Sequence, residues 1–161
     1  YDLLDDLESA RSAYDRLKAM PPEDDYLGLA RGDGAYRLVK LYGRAGRLEE
    51  AEKARDEMME MMRPELQYYY VARTHMHLAA AWAGIDRLDK AVEYYDQLKA
   101  MGSGRDISLY RLETIKSLEP AYRQAGDHQK ADALQAEAKL ILKNPEVARF
   151  VKMNRERRPF I

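Results

Sequence analysis

Apolar residues recur along this chain at the three- and four-residue spacing of amphipathic helices, and the pattern itself repeats. Asp5 to Met20 (DDLESARSAYDRLKAM) aligns without a gap on Asp86 to Met101 (DRLDKAVEYYDQLKAM). Leu7, Ala10, Tyr14, Asp15, Leu17, Lys18, Ala19 and Met20 recur as Leu88, Ala91, Tyr95, Asp96, Leu98, Lys99, Ala100 and Met101. Two further copies run from Leu48 through Met58 and from His128 through Ala138. The marker alanines Ala10, Ala51, Ala91 and Ala131 are 41, 40 and 40 residues apart. A small residue at that position lets two helix backbones approach where they cross.

Each later marker segment follows a longer helical one. Gly46 and Gly126 suit helix C-termini, where glycine takes the left-handed conformation cheaply. The intervening unit has Gly84-Ile85-Asp86 there, which predicts a slightly shifted turn. Pro64 reads as a first-turn residue, and Pro120 predicts a kink. Gly32-Asp33-Gly34 lies in register with Thr74 and Thr114; it predicts one helix from about 23 to 45 with a soft middle, a break being the alternative. The pattern predicts eight helices, at roughly 2–19, 23–45, 47–62, 65–84, 87–101, 105–125, 127–142 and 145–156. The first is an orphan second helix of a preceding repeat (1–20). Helix pairs follow over 23–62, 65–101 and 105–142. The last helix, after Asn144-Pro145, caps the stack and ends in the basic run Arg155, Arg157 and Arg158. The expectation is a single all-α domain over 1–161, its antiparallel pairs stacked into a superhelix because no pair buries its apolar face alone. The mid-repeat start and the Tyr at position 1 predict a fragment of a longer protein.

Composition narrows this picture. A chain of 161 residues with 46% hydrophobic and 34% charged residues can bury a real core and is not a disordered one. No apolar run approaches the ~20 residues of a membrane span. Lys+Arg is 27 against Asp+Glu 28, so there is no overall pull toward nucleic-acid phosphate or anionic lipid. The absence of cysteine excludes disulfides and thiol chemistry within this chain. A cytoplasmic location is expected. Phosphate loops and Ser/His/Asp or H-E-x-x-H arrangements are lacking. His75 and His77 lie about 200° apart around a helix and cannot share a metal. The expectation is therefore no enzyme, no cofactor and no metal. Glu49, Glu50, Glu52, Glu57 and Glu60 read as a solvated acidic face. Of Met58, Met59, Met61 and Met62, two are expected in the core and two partly exposed. Tyr68, Tyr69 and Tyr70 cannot all be buried on one helix face.

Gly46-x-Leu48-x-x-Ala51, with Leu38 and Tyr42 upstream, resembles the tetratricopeptide repeat. Leu78, Ala79, Trp82, Ala91 and Tyr95 match it in the next unit, and Leu118, Tyr122, Gly126 and Ala131 in the third. The period near forty exceeds the usual ~34 and is similar to long-helix variants such as those of kinesin light chains or bacterial peptide-sensing regulators. Arg55 and Gln135 stand where that family has an aromatic. The resemblance implies a right-handed superhelix whose first helices line a concave groove. The corresponding groove positions are Tyr36, Arg37, Lys40 and Arg44, then Tyr69, Arg73, Met76 and His77, then Tyr110, Glu113, Lys116 and Arg123. That implies a protein-interaction scaffold for a peptide or partner helix, with an acidic or C-terminal-carboxylate ligand suited to the basic, aromatic lining. His77, Glu113 and Ser117 depart from the carboxylate clamp of chaperone-binding members, so chaperone tails are not expected. The segment AGRLEEAEKARDEM also resembles a pentatricopeptide second helix, which would imply single-stranded RNA binding. A regulatory sensor segment of a larger protein, or a homo-oligomer formed through the open N-terminal end, completes the set of expectations.

Overall fold

The structure is a computed structural model and describes residues 3–21, 25–62 and 64–157. The described residues form eight helices and no strand. They are α1 (Leu3–Ala19), α2 (Asp25–Arg44), α3 (Leu48–Met61), α4 (Pro64–Ala83), α5 (Leu88–Ala100), α6 (Arg105–Gln124), α7 (His128–Ile141) and α8 (Pro145–Arg157). The all-α expectation holds, with ends within a few residues of those anticipated; the expected starts at 2 and 23, and Arg158 of the basic run, lie outside the described residues. Helices α2/α3, α4/α5 and α6/α7 fold back as hairpins; α2 also packs on α4, and α4 on α6. α1 lies against α2, and α8 touches α6.

The marker alanines Ala51, Ala91 and Ala131 are fully buried, as are Leu38, Leu78 and Leu118 on the facing helices. Thr74 and Thr114 are equally buried, and each hydroxyl donates to a carbonyl of the preceding turn, of Val71 and Tyr110 at 2.9 Å, so no polar atom is stranded. Met58 and Met62 enter the core while Met59 is exposed and Met61 half-buried; Tyr70 is buried while Tyr68 and Tyr69 are exposed.

One expectation about the turns is corrected. The middle hairpin turn is not shifted. Asp86 takes the left-handed conformation (φ 61°) in register with Gly46 (70°) and Gly126 (79°). The same closing bond follows each time, from Arg47 N to Tyr42 O (2.9 Å), Arg87 N to Trp82 O (3.0 Å) and Asp127 N to Tyr122 O (2.9 Å). The aspartate does what glycine does elsewhere, as short polar side chains can. The expectation of one helix across Gly32-Asp33-Gly34, with no break, holds. α2 runs unbroken through it, and the glycines are close-approach sites: a Cβ on Gly34 would lie 2.9 Å from the buried Tyr14 ring of α1, and one on Gly32 2.8 Å from Met62. Likewise α6 continues through Pro120.

Polar groups help hold α1 in place. Buried Arg31 donates to the carbonyls of Leu17 (3.1 Å) and Met20 (2.5 Å), satisfying the C-terminal end of α1. Glu57 of α3 accepts Lys18 at 2.9 Å and lies 3.7 Å from Arg11, with only 16% of its side chain exposed. Glu52 accepts from Tyr94 Oη (2.6 Å) and Trp82 Nε1 (3.3 Å). Glu52 thus links the first two hairpins and Glu57 ties α1 to α3, so neither belongs to a solvated face. Glu137 of α7 plays the same part for Tyr95 (2.7 Å) and Arg111.

Candidate functional site

The groove expectation converges on the faces of α2, α4 and α6. A groove of roughly 1140 Å³ opens there and ends against α7 and α8. Tyr36, Tyr69, Arg73, Met76, Tyr110, Glu113 and Lys116 all line it, so most of the anticipated residues from three repeats are brought together. The others stand differently. His77 lies half-buried under Tyr36, whose Oη is 2.8 Å from His77 Nε2. Arg37 and Arg44 are exposed and Lys40 half-buried on α2. Arg123 does not line the groove; it is bonded to Glu119, which does, and to Asp132 of α7 (2.8 Å).

The spacing of the sequence explains the convergence. Tyr36, Lys40 and Arg44 are four apart and form one stripe of α2; Tyr69, Arg73 and His77 form one stripe of α4. The two stripes meet. The Arg73 guanidinium centre lies 3.8 Å from the Tyr36 ring centroid and 5.1 Å from that of Tyr69, so the cation interacts with two aromatic faces. Tyr69 in turn meets Tyr110 of α6 edge-on, centroids 6.2 Å apart. Farther along, a Cβ on Gly43 would come 3.3 Å from that of Ala81, so close packing of α2 on α4 continues in the same register.

Electrostatically the α2–α4 surface beside the groove is unlike the α6–α8 end. From Gly34 through Arg47 the chain carries Arg37, Lys40, Arg44 and Arg47 and no acidic residue; from Leu66 through Gly84 it carries Arg73 and none. Arg37, Lys40, Arg44 and Arg73 have no carboxylate partner among the described residues, while Lys116 holds Glu113, Arg105 holds Asp106 and Arg47 holds Glu50. Burial pushes the His77 imidazole down to about 4, and Lys40, Arg73 and Arg44 push it further in the same direction. The face is thus an uncompensated positive one with a neutral histidine at its centre. The opposite end carries an apolar patch, Leu109 and Ile115 of α6 with Leu142, Phe150 and Val151, set among Arg105, Asp106, Glu119, Gln135 and Asn154.

That apolar end is the part sequence reasoning missed. Its α8 residues Phe150 and Val151 belong to no repeat position, and their only sequence signal is the apolar periodicity of a helix outside the repeat. Among the described residues no three His, Asp or Glu side chains group to hold a metal, and no helix is long and apolar enough to cross a membrane. No protein-family model matches the chain, and no curated protein or solved structure is matched to it.

Proposed function

We propose that this chain is a tetratricopeptide-like interaction module: a superhelical stack that holds a peptide or partner helix in the α2–α4–α6 groove and has no catalysis of its own. The observation that carries this reading is the groove itself. It draws side chains from α2, α4 and α6 and orders tyrosines along its length, and Arg73 within it and Arg37, Lys40 and Arg44 beside it on α2 have no carboxylate partner among the described residues. Tyrosine and arginine faces of this kind are typical of interface anchors. An acidic segment is the complementary ligand.

The test is selection of random linear peptides displayed against immobilised protein. Acidic sequences are expected to enrich on the native chain and not on the Lys40→Glu/Arg73→Glu double variant. Equal enrichment on both proteins would remove the groove from the proposal. A second reading, single-stranded RNA binding, draws on the same cations beside Tyr36, Tyr69 and Tyr110, since bases stack on aromatic faces. It ranks below because the positive stretch stops at α4: on α6 the cations Lys116 and Arg123 are spoken for by Glu113 and Glu119. Tight, steeply salt-dependent binding of oligouridylate would reverse the ranking.

A further inference from the structure

We propose that the α2–α4 face is an oxyanion site that receives a phosphorylated side chain of the partner segment, with the apolar α6–α8 end holding a hydrophobic residue of the same segment. This rests on the peptide-binding reading above and names the chemistry it would select.

Geometry places the cations together. Tyr36 is joined to His77 through the 2.8 Å contact and stacked on Arg73, which fixes the α2 stripe against the α4 stripe. Lys40 stands one helical turn past Tyr36, and Arg44 one turn beyond that, along the line that leads to the Gly43–Ala81 approach. All three cations act on His77. The Arg73 guanidinium centre lies over the Tyr36 and Tyr69 rings, 3.8 and 5.1 Å from their centroids, and its donors have no carboxylate partner among the described residues. A pre-oriented fork suits a planar or tetrahedral oxyanion and is costly to use on water alone.

The number of charges decides the class. A carboxylate neutralises one cation and engages one fork. Here Arg73 stacks on the tyrosine that meets His77, Lys40 and Arg44 follow on the next two turns of α2, Arg37 adds a fourth charge beside Lys40, and Asp33, on the turn before Arg37, accepts from Tyr70 Oη (3.1 Å) and pairs with none of these cations among the described residues. A phosphomonoester carries close to two charges and three acceptor oxygens, so a single group can satisfy several of these donors. RNA phosphate carries one charge per group and needs a positive track, whereas the positive face ends at α4 and gives way to the apolar end. That apolar end also sets a spacing. Neighbouring helices pack about 8–10 Å apart, so two helix spacings separate the α2–α4 site from the α6–α8 end, or about five to six residues of extended chain at ~3.3 Å each.

Two experiments test this together. Inorganic phosphate is titrated into isotope-labelled protein at pH 7 and the imidazole resonances are followed by NMR. The His77 signal is expected to shift and saturate, with His75 unmoved, at roughly 10 mM phosphate, and Lys40→Gln or Arg73→Gln is expected to abolish the shift. Peptide libraries with a fixed central phosphoserine, aspartate or serine are then selected on the native protein. Phosphoserine peptides are expected to enrich about tenfold over the serine set, with apolar residues accumulating about five to six positions away. No His77 response to phosphate, or equal enrichment of aspartate and phosphoserine libraries, overturns the phosphate site while leaving peptide binding standing. Enrichment of no library, or displacement of every peptide by oligouridylate, overturns both.

Discussion

The two faces of α4 meet their surroundings in opposite ways, although His75 and His77 are only two residues apart. His75 is buried toward α3 and α5, its ring 5.6 Å from that of Tyr94. Charged groups on that side have partners: Arg55 reaches Asp56 (2.6 Å) and Tyr94 Oη (3.1 Å), and Glu52 accepts from Tyr94 and Trp82. His77 looks instead toward Tyr36, Lys40, Arg44 and Arg73, with no carboxylate among the described residues. Both imidazoles are pushed down to about 4: His75 by burial and then Arg55, His77 by burial and then three cations. One face uses its polar groups to tie hairpins together. The other keeps its charges uncompensated, which the fold does not need and a ligand would relieve.

Acidification tests the comparison with the largest expected effect. An exposed histidine in the unfolded chain titrates near 6.5, whereas His75 in the fold titrates near 4. Between those values the unfolded state takes up a proton that the native state refuses. Stability is therefore fully present above pH 6.5 and falls as pH drops toward 4, by roughly 3 kcal/mol for His75. His77 is less enclosed and contributes less. Urea midpoints measured at pH 7, 5.5 and 4.5 are expected to decline, and His75→Gln is expected to flatten most of that slope. A slope unchanged in the variant would mean the buried histidine is not what acid attacks.

How much of this was legible beforehand depends on the distance over which each residue acts. The marker alanines, the Gly46 and Gly126 turns and the buried leucines follow from local periodicity, so the helices and their pairing could be read directly. Asp86 was misread because the left-handed position there is filled by the less usual residue. Gly32 and Gly34 looked like weak points because the side chains that need the space, Met62 and Tyr14, come from other helices. Glu52 and Glu57 looked solvated for the same reason: their partners Tyr94 and Lys18 lie 42 and 39 residues away. In the groove, the stripe of Tyr36, Lys40, Arg44, Arg73 and His77 was readable from the repeat register. Arg123 was not, since its carboxylate Asp132 belongs to the following helix.

The same substitution on the two faces sharpens the contrast at smaller magnitude. Tyr94→Phe removes the hydroxyl that Arg55 donates to and that bonds Glu52, leaving two half-buried charged groups short of a partner. It is expected to cost about 1–2 kcal/mol in chemical denaturation. Tyr36→Phe removes only the bond to His77, which water can replace at the groove, and is expected to cost under about 0.5 kcal/mol. Equal costs would show that the groove face is as structural as the interior one.

The smallest effect is also the sharpest, because its sign is the reverse of the usual one. Most substitutions destabilise. Lys40 and Arg44 stand among like charges without carboxylate partners among the described residues, so neutralising either removes repulsion and breaks no ion pair. Lys40→Gln and Arg44→Gln are each expected to raise stability by a few tenths of a kcal/mol at low ionic strength. The gain is expected to vanish near 1 M salt, where the screening length falls to about 3 Å and the native face no longer repels itself. Denaturation midpoints of the native chain and both variants, measured across that salt range, decide the matter. If Lys40→Gln instead destabilises by more than about 1 kcal/mol at every salt concentration, the lysine holds a structural role in the native packing, and the two faces of α4 are alike after all.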